Sequence, residues 1–159
     1  MKLLKWLAFL PLHIGIFFAR YPLSPVAVLL FSTKDKRYLT AMRWLETLDN
    51  DLGGNDDEGW LTKHIKPGSD PYSFWNRTRW LWRNGGNAVN YQFLGCDYSD
   101  PTWSGLPDKC DFRGLYVRKD GYWLFRKVIA GVEVFWGWNI YSNINGRCKF
   151  TFTTRKYHA

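Results

Sequence analysis

The stretch FRGLYVRKDGYWLFRKVIAGVEVFWGWNIYSNINGRCKFTFTTR (112–155) decides the fold. Its segments 112–118, 122–129, 132–141 and 147–155 are rich in β-branched and aromatic side chains, which suit a half-buried pleated surface. Asp120-Gly121, Ala130-Gly131 and Asn145-Gly146 separate them. Asp-Gly and Asn-Gly are strong signals for tight hairpins, because both central residues of the favoured turn need positive φ. The spacing predicts an antiparallel meander of about four strands. Within the third, Val132, Val134, Trp136, Trp138 and Ile140 alternate onto one face, predicted to be the core face.

Upstream, the period changes. PYSFWNRTRWLWR (71–83), followed by Asn84-Gly85-Gly86, reads as a short helix with its stop. YLTAMRWLETL (38–48) carries Leu39, Met42, Leu45 and Leu48 at helical spacing and predicts another. DNDLGGNDDEGW (49–60) between them is a Gly- and Asp-rich loop, and residues 96–111 are turn-rich. The fold class is therefore α+β: an N-terminal apolar segment, two short helices, then the sheet.

MKLLKWLAFLPLHIGIFFARYPLSPVAVLLF (1–31) is predicted to be a hydrophobic membrane anchor ahead of a small basic, aromatic-rich domain, 32–159. Lys2 and Lys5 before the apolar run from Trp6 resemble the start of a signal peptide, but Phe17-Phe18-Ala19-Arg20 offers no small-residue cleavage site. Pro11, Pro22, Pro25 and Arg20 interrupt the run. Two arrangements fit equally: a single kinked span, or a re-entrant hairpin that lets Arg20 reach head groups. Basic residues flank both ends, with Lys34, Lys36, Arg37 and Arg43 downstream, which places the domain on the cytoplasmic side.

A formal net charge of +8, with 22 Lys plus Arg against 14 Asp plus Glu, favours anionic partners, and the apolar segment selects lipid among them. Ten tryptophans and nine tyrosines suit equally an interface that is dry on one side and wet on the other, or a small core filled with aromatic rings. Cys96, Cys110 and Cys148 form neither a disulfide framework nor a zinc site. One bridge, such as Cys96 to Cys110, fits an exported domain; free thiols fit the reducing side of a membrane.

Two constellations carry candidate chemistry. Asp49, Asp51, Asn55, Asp56, Asp57 and Glu58 offer six oxygen-bearing side chains around Gly53-Gly54, a donor set for Ca²⁺ or Mg²⁺. Trp60 stands where an EF-hand loop requires a bidentate glutamate, so the loop is not an EF-hand, and a solvated turn explains it better than a cation site. An enzyme reading pairs His64 with Asp56 or Glu58 as acid and base. Second, Trp75, Trp80 and Trp82 interleave with Arg77, Arg79 and Arg83. That mixture suits a structural helix first, anionic lipid second and single-stranded nucleic acid third. Phosphate-binding glycine loops, nucleophile elbows and zinc-protease motifs are absent.

RWLETLDNDLGGNDDEGW (43–60), RTRWLWRNGGNAVNYQFLG (77–95) and VFWGWNIYSN (134–143) together resemble a family of small tailed-bacteriophage proteins that also begin with a Pro-interrupted apolar segment. The resemblance implies a phage origin and action at or near the bacterial envelope, and carries over no functional residue. The expectation is a non-enzymatic protein at the host inner membrane that contacts lipid or a membrane partner, in envelope takeover, phage exclusion or lysis control. Its rivals are a metal-dependent enzyme or binder using the acidic loop, and a virion component inserted during genome delivery.

Overall fold

One helix, α1 (Leu3–Leu30), takes up nearly all of the apolar N-terminal segment in the computed structural model, which describes residues 1–98 and 114–156. The helix runs without a break through Arg20, where a hairpin, one of the two arrangements expected, would turn. At about 1.5 Å per residue its 28 residues are long enough to cross a bilayer. Each interior proline removes an amide and frees the carbonyl four residues earlier. The carbonyl freed by Pro25 is that of Tyr21, and the Trp82 indole N–H donates to it at 2.9 Å.

The described chain divides into two compact units, Ile14–Val89, and Met1–His13 with Asn90–Ala159. These units do not coincide with a division at residue 31, since each takes part of α1.

In the unit of Met1–His13 and Asn90–Ala159, β2 (Gly114–Val117), β3 (Trp123–Ile129), β4 (Val132–Trp138) and β6 (Phe150–Lys156) form an antiparallel sheet in the order β2-β3-β4-β6. This is the predicted meander. Ala130 and Gly131 (φ 49° and 75°), and Asn145 and Gly146 (φ 51° and 73°), have the paired positive φ values of tight hairpin turns. A separate two-stranded ribbon pairs β1 (Cys96–Asp97) with β5 (Arg147–Cys148). The alternation expected along β4 holds only in part. Val134, Trp138 and Ile140 are buried, but Trp136 is 37% exposed in a row with Phe125 and Phe152, and Val132 is exposed. Glu133 and Phe135, of the opposite phase, are buried as well, so both faces of the strand are covered. Gly137 marks the irregularity: at φ 113°, a Cβ there would meet the Trp123 carbonyl oxygen at 2.3 Å.

In the unit Ile14–Val89, α2 (Glu58–His64), α3 (Phe74–Asn84) and the start of α4 (Asn87–Gln92) accompany the second part of α1. Its core holds Ala27, Val28, Leu39, Leu45, Leu52, Trp60, Trp80 and Leu81. Helix α3 matches the predicted 71–83 segment, starting at a Ser73 cap and stopping at Gly85. The predicted helix over 38–48 does not form; only a 3-10 turn, Arg43–Leu45, is present. A helix there would put Glu46 on the stripe of Leu39 and Met42, seven and four residues away, and bury its carboxylate without the Leu39 amide it accepts from here. Instead the chain folds back, and the buried Glu46 carboxylate accepts from the Leu39 amide and from Arg43 Nε. Helices α2 and α4 were not anticipated.

Cys110 and His158, most of the turn-rich 96–111 stretch and the start of the first predicted strand lie outside the described residues.

Candidate functional site

Helix α1 has an inner and an outer face, and its polar groups are on the inner one. In the first unit, Trp6 is buried against Trp123, Phe150 and Phe152, with Nε1 donating to the Thr151 carbonyl at 3.3 Å. One helical stripe further, His13 Nδ1 is hydrogen-bonded to Asn90 Oδ1 at 3.0 Å. In the second unit, Ser24 Oγ donates to the Arg20 carbonyl at 2.5 Å, and Ala27 and Val28 enter the core. The Arg20 guanidinium lies 4.4 Å from the Phe17 ring centroid and donates to the Arg83 carbonyl at 3.4 Å. Gly86, at φ 83°, is the close neighbour here, since a Cβ would meet Ile16 Cγ2 at 2.4 Å.

The outer face carries the opposite chemistry. Leu4 is 83% exposed, Phe18 66%, Leu29 71% and Leu30 64%, with Leu7, Leu12 and Val26 also open. From Leu7 to Leu30 no exposed residue on α1 carries a carboxylate, amine or guanidinium. Charge is concentrated at the start of the helix, where Lys5 Nζ donates to Tyr122 Oη at 2.9 Å and Lys2 Nζ sits 3.8 Å from the same ring. A surface helix of a water-soluble domain has polar residues outward and apolar residues inward; this helix is apolar outward, with His13, Arg20 and Ser24 turned inward.

The tryptophan–arginine segment does not form one exposed face. Trp80 is in the core, edge-on to Trp60 at 5.3 Å. Arg77 is buried, donates to Ser32 Oγ at 2.5 Å, and leaves its Nε without a partner. Trp82 serves the Tyr21 carbonyl; Arg79 and Arg83 lie beside the Trp60 ring, and Arg83 is 3.9 Å from Asp57. Trp75 is exposed.

The acidic loop is largely occupied with its own architecture. Asp51 is buried and accepts from Tyr72 Oη at 2.7 Å, Arg37 Nε at 3.0 Å and the Gly53 amide at 2.9 Å. Burial alone would raise its pKa; the Tyr72 and Arg37 donors outweigh that and hold it below the ordinary carboxylate value. Asn55 turns its amide to Asp51 and Tyr72, and Asp57 caps α2 by accepting from the Trp60 amide at 2.8 Å. Asp49, Asp56, Asp57 and Glu58 line an open cleft of about 290 Å³ with Asn84 and Trp80. Among the described residues no three His, Cys, Asp or Glu side chains converge as metal ligands. His64 stacks on Trp60 at 5.1 Å.

Two arrangements escaped the sequence. Glu133 accepts from Arg126 Nε at 2.9 Å and from Arg155, which hold its carboxyl low although burial would raise it. The one signal was a carboxylate between Val132 and Val134. The other arrangement is Cys96 opposite Cys148, brought together only by strand pairing.

Residues 1–157 match the model of a family described as "Family of unknown function (DUF7338)". No curated protein and no solved structure matches the chain.

Proposed function

Since this chain belongs to that family, whose description states no activity, its function has to be read from its own surface, and we propose that it is a membrane-bound bacteriophage protein whose lipid-contacting element is the outer face of α1. One observation carries the reading: along α1 the large apolar side chains point outward while His13, Arg20 and Ser24 are turned inward to partners. Water penalises such a face, and a bilayer rewards it at about 25 cal/mol per Å² of apolar surface buried. The arrangement favoured is neither of the two expected from sequence but a helix lying along one leaflet. A full crossing would strip Trp6, Ala27 and Val28 from the cores they occupy. Lys2 and Lys5 at the start of the helix and the net charge of +8 suit an anionic leaflet, in keeping with the cytoplasmic face of a host inner membrane. There the protein acts without catalysis, through lipid or a membrane partner, in envelope takeover, exclusion of competing phages or lysis control. The phage assignment rests on the resemblance of segments 43–60, 77–95 and 134–143.

The test is flotation of the full chain with vesicles of phosphatidylethanolamine and phosphatidylglycerol. Leu4→Ser, Phe18→Ser and Leu29→Ser combined are expected to lower the bound fraction at least tenfold. Their fold should survive, because these side chains are exposed. Unchanged flotation of a folded triple variant would end the reading.

A further inference from the structure

We propose that Cys96 and Cys148 are a disulfide site, closed by exchange with a low-molecular-weight disulfide such as oxidised glutathione and reopened by thiols. The two residues are direct partners in the antiparallel β1–β5 ribbon, so their side chains share one face. The Tyr98 amide donates to the Gly146 carbonyl at 2.8 Å, two residues along the ladder. By the alternation of antiparallel pairs, Cys96 and Cys148 are in the same phase, with Cα atoms about 5.5 Å apart. A disulfide needs roughly 4.4–6.8 Å, so the strands already hold the spacing.

The surroundings supply the chemistry. Both thiols are buried. Arg118 Nη1 lies 4.0 Å from Cys96 Sγ and 3.9 Å from Cys148 Sγ, fixed in place by donating to the Asp97 carbonyl at 2.7 Å while Nε donates to Asp120 at 3.1 Å. A guanidinium against two sulfurs favours one thiolate. Hydrogen bonding with Cys148 and burial push the Cys96 pKa up, while hydrogen bonding with Cys96 and the nearby Arg118 hold that of Cys148 down.

The proposed attack is through Cys148, with Arg118 Nη1 3.9 Å from its sulfur. Its thiolate displaces one glutathione thiolate from the oxidant, forming a mixed disulfide. Cys96 then gives its proton to the first released glutathione thiolate and attacks Cys148 Sγ, forming the intramolecular bond and releasing the second glutathione as a thiolate. Two protein thiols are oxidised and one glutathione disulfide is reduced to two thiols, so atoms and electrons balance. The ribbon has only two residues per strand, so local opening admits the reagent at small cost.

The full chain carrying Cys110→Ser, so that the third thiol cannot exchange, is treated with oxidised glutathione and analysed by intact mass and peptide mapping. Expected are the loss of two hydrogen masses, a linked peptide containing Cys96 and Cys148, and a Tm higher than the reduced chain by about 5 °C or more, reversed by dithiothreitol. Adding Cys96→Ser should stop the reaction at a glutathione adduct on Cys148. Two thiols still free after oxidation, or an adduct persisting in the chain that keeps both cysteines, would overturn the proposal. So would a Cys96–Cys110 link in place of the Cys96–Cys148 link in the unsubstituted chain.

Discussion

The two units take opposite kinds of side chain from the same helix. The unit of Met1–His13 and Asn90–Ala159 receives Trp6, whose ring sits 5.4–5.9 Å from those of Trp123, Phe150 and Phe152. The unit Ile14–Val89 receives Ser24, Ala27 and Val28, the first two 0% exposed, beside Leu45, Leu52 and Trp80. A sheet lined with aromatic rings leaves a recess that a large knob fills, and the gain comes from area buried. A core of helices and loops whose large residues are already in place admits a helix only where its side chains are small. A large ring is buried at one end of α1 and small side chains at the other, with Leu23 only partly buried beside them.

Trp6→Ala should therefore have the largest effect, a loss of about 3–5 kcal/mol, because a vacated ring leaves a cavity. Hydrogen exchange followed residue by residue should show lost protection in β3 and β4 while α3 keeps its own. Equal loss in α3 would break the contrast between the units.

Ala27→Leu is the complementary experiment, expected to cost about 1–3 kcal/mol by overpacking. Here α3 should lose protection and β3 should not. A neutral or stabilising result in denaturant titration would mean that the site around Ala27 has room, and that small size there is incidental.

Acid sharpens the comparison further, since each unit holds a buried carboxylate whose pKa is held down by its donors, Glu133 in one and Asp51 in the other. Both folded pKa values are depressed, so the unfolded chain takes up the proton first as pH falls. The stability each contributes is complete above the unfolded value and is lost as pH drops through the folded one. The ordinary values are 4.5 for Glu133 and 3.8 for Asp51, so the sheet unit should begin to weaken at the higher pH. Glu133→Gln should abolish that earlier onset in an acid titration followed by tryptophan fluorescence and exchange. An onset unaffected by the substitution would detach it from Glu133.

Much of the fold was legible because it is local. Turn glycines at Gly121, Gly131 and Gly146, and the Gly85 stop of α3, act within a few residues. Where a segment's state depended on a distant partner, local pattern failed. The stripe of Leu39, Met42 and Leu45 read as a helix because periodicity does not register what Glu46 on that stripe would cost. Trp136 read as core because alternation assigns a face, whereas burial depends on what covers it.

The sequence by itself determined that an apolar segment precedes an α+β chain ending in an antiparallel meander, since period, turn chemistry and composition are written residue by residue. Only the tertiary structure decided which side of α1 is open, that Arg77 and Trp80 lie inside rather than together on one surface, and that Cys96 faces Cys148. Those outcomes depend on side chains far apart in the chain meeting in space, and the ordering of residues along one strand or helix contains no term for that meeting.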